Sequence, residues 1–325
     1  MIGRHHARIL QSHPSMRFAG AVDPGGDRFG AVHDPARVHA TLPELLNGPE
    51  GPPDFAVVAV PTEEHVSAVR DLAAAGVHVL VEKPVAASAD EAREIIELVR
   101  GAGLHGAVGH VERCNPALID LRRRVQDDQL GEVFVVATER VGPFPDRVRD
   151  VGVVKDLATH DLDLVRWLGG AAVERVAAQT QHRMDREHED LVLVTGRLEN
   201  ARAFNSVVDW LSPTKVRRTR VLGERGMLVA DTLRGDLTFY ANAHVTTAGW
   251  PADQQARGVA EGDMTRYALE RREPLVVELE AFCALVRGED SQVVTLEEGL
   301  ETVAVAEAVL SSAASGETVV LEPAA

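Results

Sequence analysis

The chain predicts a two-part α/β fold: a parallel sheet layered between helices, then an α+β half built on a large, open, mostly antiparallel sheet. Three observations lead there. Short valine-rich runs alternate with helical segments up to about residue 112, which suits parallel strands buried on both faces. Later strands follow one another without helices between them, as in an antiparallel sheet. A length of 325 residues also exceeds what one core usually supports.

In the first half the strand candidates are RFAGAVD (17–23), DFAVVAV (54–60), HVLVEK (78–83) and HGAVGHV (105–111). Between them, TEEHVSAVRDLAAAG reads as a helix closing on Gly76. SADEAREIIELVRGAG reads as a helix capped by Ser88, with acidic residues in its first turn. Strand, helix, strand in this order implies right-handed parallel crossovers. From Asn115 the texture changes to a helix (PALIDLRRRVQDD), a strand (EVFVVATER), a Pro/Gly-rich loop and a helix carrying His160. A run of strands follows, then two helices near 275–287 and 296–312. The expected division is 1–114 and 115–325.

The formal charge of -16 argues against a general affinity for nucleic acid or anionic membrane, which need a basic face. Only Cys114 and Cys283 are present, far apart, so neither a disulfide framework nor a cysteine metal site is expected and a reducing compartment is implied. The N-terminus lacks the apolar stretch of a signal peptide, and no run approaches the ~18 apolar residues of a membrane span. A cytoplasmic protein is the expectation. The pairs His5–His6 and the stretch REHED (186–190) lack the ligand spacing of a zinc site, and no metal is expected.

The motif of most consequence is Glu82-Lys83-Pro84, which ends GVHVLVEKP where a buried parallel strand opens into a cleft. Open α/β sheets bind ligands outside the carboxyl ends of their strands, so this ammonium can reach a bound molecule. In DLATHDLDL, Asp156 and His160 are four apart, a spacing that stacks both on one helix face. Lysine, histidine and carboxylate together suit removal of a proton from an alcohol. Each alone is more often a solvated lysine or a structural histidine.

Alcohol oxidation also needs a hydride acceptor. A dinucleotide fold begins with a strand and G-x-G-x-x-G at a helix start. Here only the end of that pattern stands: Gly3 as the third glycine, RHHARIL as the helix, and Asp23 twenty residues later at the end of the next strand. An acidic residue there accepts from a ribose 2'-hydroxyl and repels a 2'-phosphate, favouring NAD over NADP. Asp23 can equally just start a turn with Pro24, Gly25 and Gly26. A first strand would occupy the middle of the sheet, so without it two neighbours stay unpaired. Roughly a dozen further residues upstream are the expectation.

With these elements in place, the chain resembles the Gfo/Idh/MocA sugar and cyclitol oxidoreductases. IGRHHAR, PTEEH after a strand, AAAGVHVLVEKP, and Asp156 with His160 followed by Asp163 carry the likeness over nearly the whole chain. The resemblance implies an N-terminal Rossmann domain and a C-terminal domain whose open sheet forms a homodimer or homotetramer. It implies Lys83 and His160 as the catalytic pair with Asp156. Gly3, Arg4, His5, Pro61, Thr62, His65, Glu82 and Lys83 would border NAD. Cys114, where phenylalanine is expected, and the absent glycine loop depart from the pattern.

Within the family, VGHVERCNPA and RVGPFPDRVRDVGVVKDLATHDLDL look most like enzymes that oxidise the 3-hydroxyl of UDP-N-acetylglucosamine or its uronate. A diphosphate needs cations, and Arg113, Arg140, Arg147 and Arg149 flank the catalytic segments, either for that purpose or as solvated surface arginines. Asn115 would hydrogen-bond the substrate, or only cap the helix at Pro116. The reading is an NAD-dependent sugar or sugar-nucleotide dehydrogenase. The alternatives are a free-sugar or inositol dehydrogenase and a non-catalytic sensor of the same fold.

Overall fold

The computed structural model describes residues 2–145, 151–243 and 261–322. In chain order the elements that matter here are α1 (Gly3–Ser12), β1 (Ala21–Val22), β2 (Val38–His39), α2 (Leu42–Leu46), β3 (Phe55–Val58), α3 (His65–Ala74), β4 (His78–Glu82), α4 (Ala89–Gly101) and β5 (Gly106–Gly109). They continue with α5 (Pro116–Gln126), β6 (Val133–Pro143), α6 (Thr159–Gly169), β7 (Val173–Gln181), β8 (Leu191–Leu198), β9 (Ala203–Asp209) and β10 (Leu211–Gly223). The last are β11 (Gly226–Asp231), β12 (Asp236–Asn242), β13 (Glu261–Tyr267), α7 (Pro274–Val286), β14 (Val294–Thr295), α8 (Leu296–Ser315) and β15 (Val319–Val320).

The chain forms two compact units, Met1–Val111 with Glu273–Ala304, and Glu112–Arg272 with Val305–Ala325. The boundary expected at residue 114 falls at Val111/Glu112, and the chain passes between the units twice more, at Arg272/Glu273 and within α8. The reason is apolar. Leu275, Leu279 and Phe282 of α7 join Ile9, Leu80 and Ala107 in one cluster of the first unit. Val294 of β14 pairs antiparallel with Val108 of β5.

In the first unit the sheet order is β14-β5-β4-β3, with β3, β4 and β5 parallel. Alternation along β4 sends Val79 and Val81 to one face, against Val69, Leu72, Ile95, Ile96 and Val99 of α3 and α4. Leu80 goes to the other, against α1 and α7, where Phe55 meets Phe282 edge to face at 5.5 Å. Valine and leucine at 0 to 1% exposure on successive positions are what a parallel strand covered on both sides requires. β1 and β2 pair parallel with each other in a separate sheet. Among the described residues neither β1 nor β3 has a strand on its other side. Ser88 caps α4 by accepting from the Glu91 amide at 3.3 Å, and α3 gives way to Gly76 at φ +75°.

The second unit is a nine-stranded sheet of order β13-β12-β11-β10-β6-β9-β8-β7-β15, antiparallel throughout except for the β6–β9 pair. Leu118 and Leu121 of α5, Leu162 and Val165 of α6, and Val305 and Val309 of α8 pack against Val136, Phe204, Val221 and Leu228 of the sheet. Leu193, Leu222 and Tyr240 are exposed. β6 runs on through Pro143, so the loop expected after Arg140 begins later than its Gly and Pro suggest. No helix among the described residues is long and apolar enough to cross a membrane.

Candidate active site

The first unit presents its candidate residues at the carboxyl ends of β1, β3 and β4. β4 ends at Glu82, so Lys83 leaves the sheet where the sequence places it, partly buried, with a cis peptide to Pro84. Its backbone N–H donates to Glu82 Oε2 at 3.3 Å. Glu82 Oε1 lies 2.7 Å from Nε2 of His6, on the second turn of α1. Pro61 and Thr62 open a short 3₁₀ turn after β3, ahead of α3. His65 is buried there, its Nδ1 3.1 Å from the Val85 carbonyl and its Nε2 3.2 Å from the Val60 carbonyl. Its ring thus ties the turn after β3 to the turn after Lys83.

Gly3 opens α1 as expected, and a Cβ there would make only ordinary contact, 3.6 Å from Ala59. The first turn of α1 has no side-chain cap and no acidic residue. The His5 N–H donates to the Ile2 carbonyl at 2.8 Å, so the amides ahead of it at the helix start are the ones a phosphate would meet, and the helix dipole favours one. Arg4 stacks over Phe29 at 5.1 Å and shares a 3.4 Å contact with His5. Asp23 follows β1 directly, and its Oδ1 accepts from the Gly25 amide at 2.7 Å. The turn reading is realised, and it uses one carboxylate oxygen at the position where a ribose would be read. These residues suit NAD except for the glycine-rich turn.

In the second unit Asp156 lies in a π-helical turn, Val154–Ala158, and His160 at the start of α6. This differs from the continuous α-helix that four-residue spacing suggests. Such i→i+5 turns gather at functional sites, because one extra residue re-aims side chains. α6 ends on Gly170 in the left-handed region, φ 69°. The stretch REHED supports the π turn. Glu189 accepts the Val154 N–H at 2.9 Å through Oε1 and the Val153 N–H at 3.0 Å through its carbonyl. Neither contact is visible in sequence, since only the fold brings residue 189 to residue 154.

Two of the four arginines expected at a diphosphate, Arg113 and Arg140, pair with carboxylates of the protein itself. Arg113 is buried, with Nε 2.7 Å and Nη2 2.5 Å from the two oxygens of buried Asp163. Buried Arg140 donates to buried Asp161 at 2.6 Å and to partly buried Glu112 at 2.9 Å. In this structure both guanidiniums balance internal carboxylates. Burial works against the Arg140 charge, but Asp161 and Glu112 outweigh it and raise its pKa. Burial pushes Glu112 up, yet Arg140 prevails and holds it below the ordinary range. Asp161 ends raised, because complete burial comes first and Glu112 adds a like charge. Asn115 caps α5, accepting from the Ala117 amide at 3.0 Å, and its Nδ2 donates to the Thr232 carbonyl at 3.3 Å. Arg147 and Arg149 lie outside the described residues. No group of three or more His, Cys, Asp or Glu among the described residues is placed to hold a metal.

Residues 1–110 match the family described as "Oxidoreductase family, NAD-binding Rossmann fold", and residues 122–321 its "C-terminal alpha/beta domain". UDP-N-acetylglucosamine 3-dehydrogenase of Acidithiobacillus ferrooxidans is 28% identical over 287 residues, 86% of this chain and 84% of that protein. Its solved structure, GnnA, superposes with a TM-score of 0.82 and covers 97% of this chain and 95% of its own. Myo-inositol dehydrogenase Hyg17 of Streptomyces leeuwenhoekii is 34% identical over 70% of this chain and 69% of its own. GenD2 from gentamicin A biosynthesis, solved in complex with NAD, is 26% identical, with a TM-score of 0.80, and covers 99% of this chain and 94% of its own.

Proposed function

This chain belongs to the Gfo/Idh/MocA family of oxidoreductases, and on that premise we propose that it oxidises a secondary ring hydroxyl of a sugar, the 3-hydroxyl of a UDP-N-acetylglucosamine-type sugar nucleotide. The enzyme is an oxidoreductase and its cofactor is NAD, which when bound takes the carbinol hydrogen as hydride. The observation that carries the reading is Lys83 at the carboxyl end of β4, the ligand-binding edge of a parallel sheet. As the hydroxyl is oxidised its proton must leave and charge builds on oxygen. The Lys83 ammonium stabilises that oxygen. His160 takes the proton, a task an imidazole suits at neutral pH. Asp156 orients the substrate or the imidazole. Gly3, Arg4 and His5 of the uncapped first turn of α1 hold the pyrophosphate, Asp23 the ribose, and Pro61, Thr62 and Glu82 border the nicotinamide half.

The sugar-nucleotide assignment draws on the dehydrogenase from Acidithiobacillus ferrooxidans, which matches over most of both chains. A second reading, inositol or free-sugar oxidation, is favoured by the internal pairing of Arg113 and Arg140, which leaves fewer cations for a diphosphate. A panel of UDP-N-acetylglucosamine, its uronate, free N-acetylglucosamine and myo-inositol, followed by NADH absorbance, separates them. Turnover of the UDP sugars alone is expected, and turnover of myo-inositol alone would replace that substrate. For the mechanism, Lys83→Met should lower kcat by about 10³-fold or more while NAD affinity stays within about threefold. A wild-type rate in that variant removes Lys83 from the chemistry.

A further inference from the structure

Both oxygens of Glu82 are engaged within the first unit, Oε1 with His6 Nε2 and Oε2 with the Lys83 backbone N–H. The Glu82 side chain lies across Gly109 of the neighbouring strand, where an added Cβ would sit 3.3 Å from its Cδ and Oε2 and 3.4 Å from its Cα. Gly109 thus leaves room for the carboxylate to turn inward, toward His6 on α1. A carboxylate only accepts, so His6 Nε2 is the donor in the 2.7 Å contact, and Nδ1 is left without a partner among the described residues. His6 is 2% exposed, and the Glu82 side chain 13%. A second acid, Glu278 of α7, is 5% exposed, and its Oε2 has no partner among the described residues. Like charges near each other disfavour double ionisation. Burial first, and the Glu82 carboxylate second, push the Glu278 carboxyl well above the ordinary range.

We propose that His6 is a positioning residue for Lys83. Its imidazole fixes one oxygen of Glu82, the other oxygen of Glu82 receives the Lys83 backbone N–H, and the phosphate-side helix and the lysine are thereby set as one piece. This rests on Lys83 acting on the reacting oxygen, as proposed above. Tying the helix to the lysine turn would hold the reactive ammonium in register with a cofactor seated on the helix. Misplacement by about 1 Å can cost on the order of 10²-fold in rate.

Three variants of the full chain test it: His6→Leu, which removes the donor; His6→Gln, whose amide can donate from nearly the Nε2 position; and Gly109→Ala, which crowds the carboxylate. In H6L kcat should fall about 10- to 100-fold with NAD affinity changed less than about threefold, and H6Q should recover most of the loss. Independently of turnover, amide hydrogen exchange at Lys83 in the cofactor-free protein should accelerate in H6L and G109A and return toward wild type in H6Q. Thermal melts establish that each variant is folded. If H6L fails to fold, G109A and H6Q carry the comparison. The proposal is overturned by unchanged exchange at Lys83 in a folded H6L or G109A, or by an H6Q no better than H6L. It is also overturned by a fall in kcat matched entirely by weaker NAD binding. Lys83→Met separates the two claims: a wild-type rate there ends the lysine's catalytic role, while the exchange result still judges the strut.

Discussion

Glu278 is the residue whose setting departs most from what its side chain prefers: a carboxyl among Leu275, Leu279 and Phe282 on α7. Burial and the Glu82 carboxylate raise its pKa well above the ordinary value. A group that holds its proton more tightly when folded favours the fold at pH below the unfolded value of about 4.3, and that advantage fades as pH climbs toward the folded value. Wild-type stability should therefore decline from about pH 5 upward relative to Glu278→Gln, which has no proton to lose. Glu82→Gln, lacking the second cause, should show a shallower decline. Parallel thermal melts across that interval decide it, and identical pH dependence in wild type and E278Q would rule it out. Nothing local marks Glu278 as special, because its two causes come from burial and from a strand 196 positions away. Lys83 was legible for the opposite reason: a valine-rich run ending in Glu-Lys-Pro states in one short window both the strand and its exit. Arg113 and Arg140 read as diphosphate ligands or solvated surface arginines, because Asp163, Asp161 and Glu112 reach them only through the fold.

The π turn and its support decide how well the second unit can hold Asp156 and His160. Glu189 satisfies the Val154 amide from a side chain 8% exposed, and a Cβ on Gly152 would fall 2.0 Å from its Oε1. That distance cannot be met without moving the carboxylate. Glu189→Ala leaves a buried amide without its acceptor and should lower stability by about 1–2 kcal/mol, the scale of a lost helix cap. Glu189→Gln keeps an acceptor oxygen and should retain most of it. Gly152→Ala should resemble E189A. Urea denaturation measures all three, and an E189A chain as stable as wild type would show that the contact contributes nothing. Helix starts marked by Ser88 and Asn115 were readable because a cap lies next to what it caps. The π turn was not, since one additional residue in a turn leaves the apolar spacing of the segment nearly unchanged.

At the scale of the chain, the alternation of strands and helices was enough to separate a parallel half from a mostly antiparallel one, and the sheets follow it. The return of residues 273–304 to the first unit was not readable, because periodicity shows that a helix has an apolar face but not which core receives it. The consequence is testable. A fragment ending at Cys114 lacks β14 and the side chains of Leu279, Phe282, Val294, Leu296 and Val303, each at most 5% exposed in the whole chain. At about 1.5–3 kcal/mol per buried aliphatic or aromatic side chain, that loss matches the ~5–15 kcal/mol stability of an ordinary domain. Removing β14 also exposes the edge of β5, and removing α7 uncovers Leu80 and Ala107. Residues 1–114 alone should give the far-ultraviolet circular dichroism of a largely unfolded chain and no cooperative melt. The same fragment with residues 273–304 joined through a flexible linker should regain a melting transition. A sharp transition in the unsupplemented fragment would mean that the N-terminal segment holds its sheet without the returning helix.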